Sequence, residues 1–367
     1  MSALEIETLS ARELMSLRER LDRRLRELEG KNGESLAELF SGGKSVDLIA
    51  LAVMQSGIRC RTLDGRCVTL RPGSGIREEA EAHILTVRPL KTWTFRRTTY
   101  LSSKILGVRL DVAALRLTPL KLRDEWLWDP KKEYWGEPGE KIDKCFKPLI
   151  AAGPRPSFEM EQILPGHDPE DMDSDPIGQA VDLYEAGNVK ESDRVLHRCL
   201  EEDLRTLDAH AHLGNWAFGD GSRQLLVERA RRNYEAGVAI GNLSLTSDFN
   251  GVLEWGRIDN RPYLLCLHGL GLCRWILGDA QGAREVFERM LWLWSGVEGK
   301  NSIVQTRLDY LICHGPGAVH APGDRPSVAA AATGRRNSRR DETTSPRSSP
   351  ARGRRTTSCP GQPPMTA

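Results

Sequence analysis

The chain has 367 residues, enough for two ordinary domains and a remainder. Lys plus Arg (52) nearly balances Asp plus Glu (51), so the whole-chain charge singles out neither a nucleic-acid nor a membrane partner. The balance is uneven: from Pro322 onward stand nine Arg and three acids, +6, so the preceding residues sum to −5. No apolar signal core follows the charged first twenty residues, and the greasiest run, Leu264 to Leu277, holds His268 and Arg274 and is too short to span a bilayer. Eight scattered Cys favour a reducing setting over a disulfide framework. The expected location is cytoplasmic, without membrane association.

Residues 1–57 read as N-terminal amphipathic helices. Leu14, Leu17, Leu21, Leu25 and Leu28 make one apolar stripe that ends at Gly30. A second helix is expected over Ser45–Gln55, from Val46, Leu48, Ile49, Ala52 and Val53, closing at Gly57. The preceding Ser41-Gly42-Gly43-Lys44-Ser45 has the end of a phosphate-binding loop. It lacks the first Gly, since Glu38 stands there, and it lacks a leading strand, so a turn between helices is the preferred reading.

Residues 58–165 form a β-containing module with an aromatic loop region. Ile58–Leu63 alternates, Asp64-Gly65 is a hairpin-type turn, and Cys67–Leu70 alternates again. Further strands are expected over His83–Arg88, Lys91–Thr99 and Ile105–Val112, the set being mostly antiparallel. Arg88, Lys91, Trp93, Phe95, Arg96 and Arg97 interleave cations with aromatics, the pattern that holds single-stranded nucleic acid by stacking and phosphate contact. An ordinary sheet, with Trp93 and Phe95 buried and the cations wet, fits the alternation of Thr92–Arg96 and is the preferred reading. Residues 121–175 carry Trp126, Trp128, Tyr134 and Trp135 among loops, and Asp168–Asp175 looks like an acidic linker.

Residues 166–313 are expected to be helical. One helix starts at Pro176 and stops at Gly187, and another runs from Val189 to about Asp203. Leu213-Gly214 opens a block followed by Ala230, Tyr234, Gly237 and Val238, and Leu270-Gly271 opens one followed by Ala283, Phe287, Met290 and Leu291. Gly187 to Gly221 spans 34 residues. These marks resemble the tetratricopeptide repeat over roughly a third of the chain. Trp255-Gly256 with Asp259-Asn260-Arg261-Pro262 also resembles a loop of bacterial cytosolic proteins that carry such repeats. About 19 extra residues near Leu243–Pro262 hold Phe249, Leu253, Trp255 and Ile258 and should pack on the repeats.

The resemblance implies three stacked helical hairpins and a capping helix over Asn301–Cys313. It also implies a partner groove lined by the first helix of each repeat, here Val181 and Tyr184, Asn215 and Phe218, and His268, Leu272 and Trp275. Some of these side chains could equally be core. Of the Lys and Asn pairs that grip a C-terminal carboxylate only Asn215 matches, so a chaperone C-terminus is not the expected partner. His210 and His212 point apart on a helix, Cys266 and Cys273 read as core, and no nucleophile, base and orienter assemble.

Residues 314–367 are Arg-, Ser- and Pro-rich with few large apolar side chains and are expected to be disordered. They read either as a polycation for nucleic acid or as an unselected extension. The lack of Lys after Lys300, a bias that a shifted frame in GC-rich DNA produces, favours the second. The expectation is an α+β protein with N-terminal helices, a small antiparallel β module, a tetratricopeptide-like solenoid and a disordered tail. It would be non-enzymatic, without cofactor or metal, and would bind a peptide or protein. The alternative is a nucleic-acid-associated protein using the β module and tail. A weaker third reading is an enzyme with its site in 121–165.

Overall fold

In the computed structural model the residues described are 35–41, 43–54, 57–73, 78–133, 139, 141–142, 144, 146–219 and 221–293. The stripe of residues 14–28, the Asn301–Cys313 helix and the basic tail lie outside them.

The first apolar run is a strand. Val46–Met54 forms β1, where a helix over Ser45–Gln55 was expected. A short apolar run fits either period. What decides is burial on both faces: Leu48 and Ala50 point into a barrel core, while Ile49 and Leu51 are covered on the other side. Before β1, Leu36–Ser41 forms a short helix, α1, whose Leu36, Leu39 and Phe40 pack onto the same core. The Gly43-Lys44-Ser45 segment therefore leads from helix to strand, the reverse of a phosphate-binding loop.

Four more strands complete the barrel: β2 (Gly57–Thr62), β3 (Cys67–Pro72), β4 (Ile84–Phe95) and β5 (Thr98–Arg109). β1 pairs antiparallel with β2 and β4, β2 with β3, and β4 with β5, while β3 runs parallel to β5. The order 1-2-3-5-4 thus closes on itself. The module therefore begins at Val46 rather than 58, and one of its pairings is parallel. Alternation supplies the core: Ile58, Cys60, Val68, Leu70, Leu85, Val87 and Leu101 point inward. At the rim Asp47 accepts from Thr86 Oγ1 at 2.6 Å and from Arg109 at 2.7 Å, and the guanidinium holds its carboxyl below the usual range.

After the barrel a single turn of helix, α2 (Val112–Leu115), is capped by Asp111. β6 (Leu122–Trp128) and β7 (Arg155–Met160) then form a two-stranded ribbon inside the segment expected to be loops, with α3 (Lys147–Ala152) between them. The ribbon is fastened to the helices that follow. Phe158 N–H donates to Val252 O and Val252 N–H to Pro156 O, both at 2.9 Å. Asn260, fully buried, accepts from Met160 N–H at 2.8 Å and donates to Phe158 O and Glu254 O. This is what the Trp255–Pro262 loop does here: its Asn staples β7 to the helix starting at Arg261. Arg155, also fully buried, lies between the Trp128 and Trp292 rings and donates to Trp292 O at 3.0 Å; burial lowers its pKa to about 10.

Six longer helices follow: α4 (Pro176–Glu185), α5 (Val189–Glu202), α6 (Leu207–Phe218), α7 (Gln224–Asn242), α8 (Arg261–Ile276) and α9 (Ala280–Leu293). Asp175 caps α4 through Ile177 N–H, and Gly187 at φ 81° lets the chain reverse into α5. Consecutive helices pack as the pairs α4/α5, α6/α7 and α8/α9. Small residues permit the approach: a Cβ at Gly214 or Gly269 would overlap the Tyr234 ring, and one at Gly271 the Phe287 ring. The Asp168–Asp175 stretch is no loose linker, because Ser174 Oγ accepts from Asp168 N–H at 2.7 Å and donates to Asp171 O at 2.6 Å. The segment before α8 packs against the helices through fully buried Val252 and Leu253.

Candidate nucleic-acid interface

The residues proposed for a partner groove do not form an accessible surface. Phe218 (1% exposed), His268, Leu272 and Trp275 (7%) are buried among the helices. Phe218 packs beside Ile276 around Gly221, and His268 lies 6.2 Å from the Phe287 ring. The helices carrying them, α6 and α8, pack against each other and against α7, with α9 also packed on α8, and these apolar positions are interior. Asn215 is half-buried, and its Oδ1 accepts from Tyr234 Oη at 2.7 Å. Tyr184 is exposed and stacks on Trp216, with ring centroids 4.5 Å apart and planes 4° from parallel.

The other set comes together. The structure joins the expected His83–Arg88 and Lys91–Thr99 strands into one long strand, β4, with Arg96-Arg97 as the turn into β5. The register places Arg88 opposite Lys104, Lys91 opposite Ser102, Trp93 opposite Tyr100 and Phe95 opposite Thr98. Leu101 points into the core, so its neighbours Tyr100 and Ser102 point out. Arg88 and Lys91 are an odd number apart and would normally face opposite sides. The bulge between Pro89 and Lys91 restores the phase and puts both on the outer face.

That face is exposed. Phe95 is 57% and Trp93 36% exposed, which overturns the expectation that both rings are buried. The alternation was real, but the bulge between Pro89 and Lys91 reverses its phase, so Trp93 and Phe95 share the outer face with Tyr100 instead of the inward face of Val87. The Trp93 and Tyr100 rings are 5.5 Å apart and within 10° of parallel. Arg71, from β3, lies 5.5 Å over the far side of this pair, above Tyr100, and Arg96 lies 5.3 Å over Phe95. From the Lys104 rung to the Thr98 rung the face is roughly 20 Å long at the usual rise per residue.

Two features of this face oppose stability. A two-residue hairpin turn with φ above zero at both positions suits Asn-Gly. Here Arg96 (φ 45°) and Arg97 (φ 65°) occupy it, at a cost of roughly 1–3 kcal/mol each. Arg88 and Lys104, like charges directly opposite, repel by about 0.2–1 kcal/mol. Both departures from the local rules fall at one exposed place.

Sequence reasoning missed Arg71, Tyr100 and Lys104, because the parallel β3–β5 pairing and the register of a bulged hairpin bring them in. The strong β propensity on both sides of Arg96-Arg97 hid the turn. The five described cysteines are unbridged, and burial pushes the thiols of Cys60, Cys266 and Cys273 well up and that of Cys199 up to about 11. His210 is buried with Nε2 3.0 Å from Leu204 O, and no group of three or more His, Cys, Asp or Glu could hold a metal ion among the described residues. No described helix is long and apolar enough to cross a membrane. No protein-family model matches the chain, and neither does any curated protein or solved structure.

Proposed function

We propose that the chain is a non-enzymatic binding protein that holds single-stranded nucleic acid on the outer face of the β4–β5 hairpin. The observation that carries this reading is the Trp93–Tyr100 stack flanked by Arg71, Arg88, Lys91 and Lys104 on one face, with Arg96 and Arg97 in the turn at its end. Bases stack on aromatic rings irrespective of sequence, and cations follow the phosphates. A polyanion would relieve the Arg88–Lys104 repulsion that the free protein bears. Five-stranded barrels of the OB type bind oligonucleotides partly through the loop between strands 4 and 5, which here is the Arg96-Arg97 turn. Fluorescence anisotropy with a labelled thymidine 15-mer tests the reading. Salt-sensitive binding, weaker for a duplex of the same length, is expected. Equal or absent binding of both would overturn it.

A second reading rests on the helices. Small residues under aromatic rings, as at Gly271 and Phe287, favour tetratricopeptide-type stacking. Tyr184, exposed and stacked on half-buried Trp216, is the residue of the expected groove that a peptide could reach, and Tyr184→Ala should weaken capture of such a partner.

A further inference from the structure

The barrel and the helices meet at a buried charged pair remote from the hairpin tip. Glu81, in the turn leading into β4, is 1% exposed. Its Oε1 accepts from Val53 N–H on β1 at 2.8 Å and stands 3.0 Å from Nε2 of His197 on α5. His197 is buried as well. One carboxylate thus joins a barrel strand, the turn before β4 and the helical array.

The backbone is bent to place it. Ala82 has φ 62°, a left-handed conformation unusual for a residue with a Cβ, and it is fully buried. Ala82 N–H donates to Ala50 O at 2.8 Å, and Ala50 N–H donates to His83 O at 2.9 Å, which fixes the bend to β1. A strained residue beside a buried charge points to a constraint other than packing.

The surroundings are charged on every side. Facing His197 are Glu81, Asp193 one turn earlier on α5, and Arg229 from α7. Near Glu81 are also His83, whose Nδ1 lies 2.9 Å from Glu81 O, and His210 on α6. Glu235 and Arg232 of α7 act on His83.

We propose that Glu81 and His197 form a protonation latch: charged His197 clamps α5 to the barrel, and its deprotonation loosens the seam so that α5 and β1 separate locally. Burial alone would favour neutral His197, but the close contact and charge of Glu81, with Asp193, outweigh it and hold the proton above the ordinary imidazole range. Burial likewise opposes the Glu81 charge, yet His197 and the Val53 N–H bring its pKa down to about 2. The His197 contribution is complete below about pH 6.5 and is lost as pH rises through its raised value. The Glu81 contribution is complete above about pH 4.5 and is lost on acidification toward about 2. The latch therefore holds fully between about pH 4.5 and 6.5 and releases on the alkaline side.

The test uses the full chain. The His197 Cε1–H resonance is titrated by NMR, and exchange of the Val53 amide, corrected for intrinsic rate, is followed from pH 5.5 to 9. The proposal expects a raised His197 midpoint and a Val53 opening equilibrium that grows up to tenfold per pH unit between the ordinary and raised midpoints. In His197→Gln, which keeps a donor and removes the charge, Val53 opening should not change with pH above about 6.5, where neighbouring His83 and His210 are already neutral. A His197 midpoint at or below the ordinary value, or the native pH dependence of Val53 persisting in His197→Gln, would overturn it. If the variant does not fold, the native titration alone decides.

Discussion

Trp93 and Tyr100 stand opposite each other on β4 and β5 with rings 5.5 Å apart and nearly parallel, outside the barrel that their own strands build. An aromatic pair in that position stabilises little, because water reaches its outer side. Trp93→Ala should therefore lower the melting temperature only slightly while weakening binding of a thymidine 15-mer by roughly 5- to 150-fold, the worth of one stacked base at about 1–3 kcal/mol. Anisotropy and thermal denaturation on one sample check both halves.

The Arg96-Arg97 turn should trade stability for binding. Arg96→Asn with Arg97→Gly installs residues suited to left-handed backbone. Stability should rise by about 1–3 kcal/mol in urea unfolding, and affinity for the same oligonucleotide should fall. A pair that loses stability would show that the arginines hold the hairpin together.

His210 should make the helical array sensitive to acid. Burial holds its pKa down to about 4, although Leu204 O opposes the shift. The unfolded chain takes up this proton near pH 6.5 and the folded chain only near 4, so stability falls as pH drops through that interval. His210→Gln should flatten the melting temperature over pH 6.5 to 4 relative to the native chain. Its sign is opposite to that of His197, whose contribution is lost on the alkaline side.

Gly271→Ala should destabilise by about 1–3 kcal/mol, since the new Cβ overlaps the Phe287 ring between two packed helices. Gly256→Ala, where a Cβ meets nothing, serves as the control in the same denaturant series.

Helix punctuation was legible in the sequence. Pro176, Gly187 and the Leu-Gly marks at 213–214 and 270–271 foretell helices that the structure contains. They do so because caps and close approaches are local chemistry. The strand Val46–Met54 was not legible as a strand, because its second buried face is covered by α5, from another part of the chain. The same cause misplaced the groove: Phe218 and Trp275 sit where a groove would run, but the packing of α6, α7, α8 and α9 on one another buries them. At the hairpin the structure brings the named residues together, and their exposure was not foreseen. Alternation tells which side chains share a face; it cannot tell that a bulge turns that face outward. Arg88 and Lys91 share it only through a bulge that alternation gives no reason to expect.

The most direct measurement is the salt dependence of thymidine 15-mer binding to three proteins: the native chain, the chain without residues 315–367, and Arg88→Ser/Lys104→Ser. If the hairpin face holds the strand, removing the tail leaves the stacking-dependent affinity in place, and the double variant lowers the slope of log affinity against log salt by about 0.7 for each phosphate no longer neutralised. A native slope and affinity in the double variant, with binding abolished by deletion of 315–367, would contradict the account and assign phosphate binding to the basic tail.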